Sequence, residues 1–349
     1  MSSHTLESVA TFEHQVTGVT FSETGRIFVC FPRWTEDAPV SVAELVDGAP
    51  RPYPDEEWNR WRNAKKNEIS PENHWVCVQS VVADGRGSLW VLDPAAPGQD
   101  RVVPGGPKLV RIDLANDEVV RTIAFGEDVA PQGSYLNDVR ISPDGRWAYI
   151  TESGARGALV VVDLEDGSAR RVLDGHPSTQ VEKDVVVTVD GKPLRRTDGR
   201  GVEFSADGIA LSRDGRHLYW QALTGKTLYR IETAALIDDS LSDDEVSERV
   251  ERVGENGVSD GLWIDEDGRM YISALEEDAI RIREGEDVRT LLTDKRLRWP
   301  DTFSEGPDGV IYVTASHIMD MNFFNPDSGV ALRTELFRIV RGQDAEDRG

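Results

Sequence analysis

Three shortages in this 349-residue sequence exclude whole classes of protein. Cysteine is nearly absent: Cys30 and Cys77 are too few for a disulfide framework, and both stand in strand-like runs that read as buried free thiols. No run approaches the roughly 18 consecutive apolar residues of a membrane span. Met1 to Glu13 has no basic region followed by an apolar core, so the expectation is a cytoplasmic rather than a secreted protein. Basic charge is also short: 39 Lys and Arg face 63 Asp and Glu, leaving a net charge of −24, and only seven of the bases are lysine. Nucleic acid and anionic membranes need basic patches, so neither is an expected partner; a small molecule is. The acidity reads first as solubility or salt adaptation and second as a means of attracting cations. Catalytic signatures are missing too. There is no Gly-x-Ser-x-Gly elbow, no His-Glu-x-x-His and no phosphate-binding glycine loop.

What the sequence does contain is a repeat. In Ser259 to Ile272 a polar residue and a small one precede a short apolar run, an acidic turn closed by glycine, and a second strand. Anchored on the turn glycine, the unit recurs at Gly25, Gly87, Gly145, Gly215, Gly268 and Gly309, at spacings of 41 to 70 residues. Each copy is the sequence form of a hairpin, with room for about four strands per repeat. Six such sheets arranged radially give an all-β, six-bladed β-propeller forming a single domain over residues 1–349. Eight residues before each glycine stand Thr17, Gln79, Asn137, Asp207, Asp260 and Asp301. At about 3.3 Å per residue, that places them at the strand end opposite the turn, ringing one mouth of the channel. The residue after each is small in five copies, where six backbones crowd together; Asp138 is the exception.

Taken in order, Val9 to Phe12 reads as a strand closing the ring against Glu335 to Val340. Two insertions interrupt the repeat, at about 49–74 and 174–203. In the first, Asp55 to Asn67 reads as a short helix carrying Trp58 and Trp61 on one face. In the second, Val185 to Val189 with Asp190-Gly191 suggests a small hairpin, placed to act as a lid over the polar ring. Ala234 to Ser247 is acidic and partly helical in pattern. After the sixth unit comes a loop, Ile318 to Gly329, with Met319, Met321, Phe323 and Phe324.

The chain resembles the yellow/major royal jelly protein family in a bacterial-type form. The resemblance rests on Gly25 to Val29 with Pro32-Arg33-Trp34, on Leu136 to Val139, on Ala148 to Gly154, on Asp207 to Ser212 and on Leu228 to Ile231. That family is similar in turn to the gluconolactonase group of six-bladed hydrolases, which hold a divalent cation at the channel mouth. The resemblance implies that Asn137, Asp207 and Asp260 match three ligand positions. Thr17 stands where the group has a Glu, and Asp207 where it has an Asn.

The residues lead to the same ion by a different route. Three carboxylates converging without a cation would repel and raise one another's pKa values. Oxygen-only ligands, without clustered His or Cys, suit Ca²⁺ first, with Mg²⁺ or Mn²⁺ as alternatives. The other reading is that each Asp caps its own strand through a backbone N–H. With a cation, the simplest chemistry is hydrolysis of a lactone or cyclic ester. Asp260 is then the base, Asn137 and Asp207 are ligands beside it, Asp301 and Gln79 outer partners, and Tyr135 and His317 contacts to substrate from the rim. His317 reads equally well as a surface-loop histidine. Two further functions stay open: an isomerase for an aromatic or cyclic substrate, and a non-catalytic ligand-binding propeller.

Overall fold

The computed structural model describes residues 4–35, 37–99, 101–327 and 332–341. Six four-stranded sheets surround one axis, each starting from a short innermost strand. These are Val19–Phe21, Ser80–Ala83, Leu136–Ile141, Ala206–Leu211, Leu262–Ile264 and Pro300–Glu305. Each touches the innermost strands of the two neighbouring blades, so the six close a channel. The turn glycines explain the regularity. All six have φ between +72° and +85°, a conformation that costs an L side chain roughly 1–2 kcal/mol and costs glycine almost nothing.

Both ends of the chain build the sixth sheet. His4–Phe12 pairs antiparallel with Thr334–Arg341, from His4 opposite Arg341 to Phe12 opposite Thr334, with the register shifting between Ser8 and Ala10. The apolar core lies between adjacent blades. Leu92, Leu109, Val139 and Ile150 fill one such layer; Phe28, Trp75, Val81 and Val91 fill another. Cys30 and Cys77 are buried and free, and burial pushes the Cys30 thiol up to about 12.

Two segments differ from their sequence reading. Ala49–Pro52 is the outer strand of the first blade, so the first insertion starts after it. Asp55 to Asn67 is not an α-helix but a series of turns with one 3-10 turn at Asn63–Lys65. Tertiary contacts override the local pattern there. The Asn59 amide oxygen accepts from the N–H groups of Ser41 and Val42, Trp61 is fully buried, and Trp58 packs on Trp75 with ring centres 4.4 Å apart. The second insertion does form a hairpin, Thr188–Val189 with Lys192–Pro193, turning at Asp190 and Gly191. Val187 and Val202 of that insertion pack with Trp34, Tyr135, Trp299, Ile318 and Met319 in one apolar cluster over the polar ring. The acidic stretch holds two short helices, Thr233–Ile237 and Asp243–Ser247, the second opened by a Ser242–Glu245 capping box. The final loop supplies Met319 and Met321 to the cover; its last residues, Ser328 and Gly329, lie outside the described residues.

Candidate metal centre at one mouth of the channel

The ring is shaped by irregular pairing. The ladder skips Asn137 and Asp138 between the Leu136–Glu152 and Val139–Ile150 pairs, Asp207 between Ala206–Ala222 and Gly208–Gln221, and Asp301 with Thr302 between Pro300–Ala315 and Phe303–Val313. Such bulges swing side chains out of the regular alternation and re-aim them. Hydroxyls on the second strands fix them. Thr151 Oγ1 accepts from Asp138 N and donates to Asp207 O at 2.6 Å; Ser273 Oγ accepts from Asp260 N at 2.9 Å; Thr314 Oγ1 accepts from Thr302 N and donates to Thr17 O at 2.8 Å. Two of the small neighbours are glycines for lack of space. A Cβ on Gly208 would lie 2.1 Å from Asp260 O, and one on Gly261 1.8 Å from Asp301 O.

Gln79, Asn137, Asp207 and Asp260 come together around a cavity of about 20 Å³. By the usual measure that is room for roughly one water or one ion and no more. Asn137 Nδ2 donates to Asp207 Oδ1, while Asn137 Oδ1 is buried without any hydrogen-bond partner. Trp299 Nε1 donates to Asp260 Oδ2 at 2.7 Å. Burial first, then the charge of Asp260, raises the Asp207 carboxyl well above the ordinary range. Burial also pushes Asp260 up to about 6, against the hydrogen bonds it receives from Trp299 and Asp207. The two behave as one unit sharing a proton, with Asp207 holding it and Asp260 accepting it. Asp138 adds its field to both from the adjacent position.

Not every ring residue joins this group. Asp301 is turned aside: Ser316 Oγ donates to its Oδ2 at 2.8 Å and Thr302 Oγ1 to its Oδ1 at 3.2 Å. Two of the three carboxylates thus line the cavity, while Asp301 stands behind it, still within the field of Asp260 and adding its own to Asp207. Among the described residues no three His, Cys, Asp or Glu side chains are grouped to hold an ion by themselves. Thr17 faces Cys30 Sγ at 3.6 Å and the carbonyl of Gln79 instead of the cavity. His317 is set back from the cavity walls, its Nδ1 3.3 Å from Asp320 Oδ2, while its neighbour Ile318 lines them. Tyr135 does reach the cavity. It donates to Gln79 Oε1 at 2.9 Å and accepts from Trp34 Nε1 at 2.6 Å, a relay that fixes one wall.

Trp34, Phe204 and Trp299 also line the cavity and were not singled out from the sequence as site residues. A signal existed for one of them. Trp299 stands two residues before Asp301, just as Tyr135 stands two before Asn137, and alternate strand residues share a face. Its backbone is a second mark: φ of +55° is an outlier for so large a side chain. The donor set fits a hard cation. Two carboxylates and an orphaned amide oxygen meet at an ion-sized space, with no His or Cys among them.

A six-bladed propeller whose axial channel opens at one end on buried acids under an aromatic cover is thus the class that fold and site define. The chain belongs to the major royal jelly protein family, whose profile, described as "Major royal jelly protein", matches residues 76–296, from the second blade through the fifth. Major royal jelly protein 7 of Apis mellifera is 24% identical over 217 residues, covering 60% of this chain and 44% of that protein, so the match spans less than half of the relative's length. Among solved structures, similar ones include a gluconolactonase from Xanthomonas campestris (TM-score 0.56, 12% identity, 96% of this chain and 89% of that one). Others are the calcium-binding protein regucalcin from Agrobacterium tumefaciens (0.55, 15%, 94% and 92%) and a luciferin-regenerating enzyme (0.58, 12%, 97% and 95%). At such identities the likeness concerns the fold.

Proposed function

We propose that this chain is a divalent-cation-dependent hydrolase of a lactone or cyclic ester, working at the acidic mouth of its channel. The observation that carries the reading is the Asp207–Asp260 pair meeting the unpartnered Asn137 carbonyl at an ion-sized cavity. Likeness in fold to proteins described as a gluconolactonase and as calcium-binding supports it. Asn137 Oδ1, Asp207 and Asp260 would hold the ion, Ca²⁺ in preference to Mg²⁺ or Mn²⁺ because flexible carboxylate and amide oxygens suit the larger cation. When bound, such an ion supplies Lewis acidity toward a carbonyl oxygen.

The remaining work falls to the chain's own residues. Asp260, ionised above about pH 6 and pinned through one oxygen by the Trp299 indole, takes the proton of the attacking water. The Trp34–Tyr135–Gln79 relay holds a rigid wall for the substrate ring, and Phe204 with Trp299 keeps bulk water out. A cavity of about 20 Å³ is too small for a lactone, so the cover formed by Phe204 and Ile318 must yield on entry. The test is a panel of five- and six-membered lactones with and without chelator. Turnover abolished by EDTA and restored by Ca²⁺ is expected; no turnover of any lactone by the Ca²⁺-loaded protein overturns hydrolysis. In that event the aromatic and methionine-rich cover, with Trp34, Met319 and Met321 packed together, favours isomerisation of an aromatic or cyclic substrate, read directly from a product of unchanged mass.

A further inference from the structure

One side of the turn end of the channel is lined by arginine. A cavity of about 340 Å³ opens there among the hairpin turns of blades two to five, and three arginines line it: Arg86, Arg140 and Arg213. Against them the same walls carry one carboxylate, Asp84. That carboxylate is already engaged, accepting from the backbone N–H groups of Arg86 and Ser88 and from the indole of Trp90. In a chain with a net charge of −24, three arginines facing one cavity are unusual, and what each of them is paired with decides what the cavity can take.

Arg140 is the innermost of the three and only 8% exposed. Its Nη1 donates to Val139 O at 2.8 Å and its Nη2 to Leu262 O at 3.1 Å, so the fork is held rigidly over the Trp263 ring, 5.9 Å from its centre. Its Nε has no hydrogen-bond partner. Asp138, the nearest acid paired with it, stays 3.9 Å from Nη2 and leaves Nε free. A buried guanidinium donor without an acceptor is costly unless something supplies one. Arg213 bridges Glu305 at 3.1 Å and Glu266 at 3.3 Å, and the second of these is a surface pair that little free energy holds in place. An adjoining cavity of about 600 Å³, bordered by Glu23, Glu266, Glu305 and Asp308, is acidic, so the arginine side alone suits a negative ligand.

We propose that this second mouth binds an anion, the carboxylate or phosphate of a small organic molecule or the free inorganic ion. Arg140 is the inner donor, Arg213 and Arg86 are the outer ones, and the Trp263, Ile141 and Leu211 side chains form the apolar wall. A volume of about 340 Å³ lies within the usual range for metabolite pockets.

The experiment is calorimetric titration and thermal unfolding of the full chain in EDTA, at ionic strength held constant with chloride. The probes are inorganic phosphate, glycerol 3-phosphate and malonate, with glycerol as the uncharged control. Saturable binding of at least one anion and none of glycerol is expected. Preference for glycerol 3-phosphate or malonate over phosphate identifies an organic ligand; the reverse identifies the inorganic ion. The double variant Arg86→Gln/Arg213→Gln, whose changes lie on the solvent side, weakens binding at least tenfold; Arg140→Gln abolishes it if the variant folds. No saturable response to any of the three anions, or equal binding by the double variant, overturns the proposal.

Discussion

The same repeat builds a closed mouth and an open one at the two ends of one channel. At one mouth the strands begin on Gln79, Asn137, Asp207 and Asp260, buried beneath an aromatic cover around about 20 Å³. At the other the strands end in hairpin turns beside about 340 Å³ lined by arginine. Glycine serves both ends, for different reasons. Gly208 and Gly261 stand where a neighbouring carbonyl leaves no room for a methyl group, and neither needs an unusual φ. Gly268 has open space around it and φ of +79°, so it is there for its backbone. Crowding at one end gives a closed, preorganised centre; loose turns at the other leave a vestibule that can vary without disturbing the sheets.

The comparison can be broken most decisively at Asp260. Asp260→Asn should reduce chelator-sensitive turnover by roughly 10²–10⁴-fold, the usual worth of a positioned base, with the circular dichroism spectrum retained. Turnover within a few-fold of the parent would remove Asp260 from the chemistry. Next in size is the pair of glycines. Gly261→Ala should cost on the order of 3 kcal/mol or more, because backbone and not a flexible side chain stands 1.8 Å from the new Cβ. Gly268→Ala should cost only about 1–2 kcal/mol from its positive φ. Equal losses in denaturant midpoints would erase the distinction drawn between the mouths.

A third effect is thermodynamic. Asp207, Asp260 and Asp301 have folded-state pKa values above the unfolded value, so the metal-free protein binds extra protons when folded. Stability from these groups is fully present below the ordinary value of 3.8 and is lost as pH rises from there through the folded values, the Asp260 share being gone above about 6. Ca²⁺ should offset that loss. Its stabilisation, about 2.7 kcal/mol at a hundredfold excess over Kd, should grow between pH 5 and 8 and vanish in Asp207→Asn. A calcium increment in unfolding temperature that stays flat across this range would contradict the shared-proton description. The smallest expected effect is Tyr135→Phe. Losing the hydroxyl strands the Trp34 indole N–H and the Gln79 oxygen, for about 1–3 kcal/mol in chemical denaturation. An unchanged midpoint would mean the relay does not hold the wall.

The repeat made much of this visible in the sequence. The turn glycines have fixed spacing to their ring residues because strand length and φ leave few alternatives, and from them came the blade count and the ring; the closing role of Val9 to Phe12 came from its match to the apolar strand Glu335 to Val340. Side-chain direction was another matter. Asp301 occupies the same position as Asp260, yet hydroxyls on Ser316 and Thr302 hold its carboxylate off the cavity wall; Thr302 is the repeat's small residue, but the pattern does not say where its hydroxyl points. The run from Asp55 to Asn67 has helical spacing, but Asn59 spends its amide on the edge of the first blade. Local periodicity cannot register a bond to a residue 18 positions away. The cover was legible only in part: the second insertion reads as a lid, but Phe204 and Ile318 come to line one cavity only once the blades have assembled. Asp138 was visible as the one bulky residue in a row of small ones, and its charge is now felt by both members of the carboxylate pair.

The sheet shared by His4–Phe12 and Thr334–Arg341 sets an order on biosynthesis. Five blades can form from residues 19–293 alone, but His4–Phe12 must wait, unpaired, until Thr334–Arg341 has been made. During that interval His4–Phe12 and the unfinished sixth sheet are free to pair with another molecule, so the hazard of swapped or aggregated chains is concentrated in the period before that sheet closes.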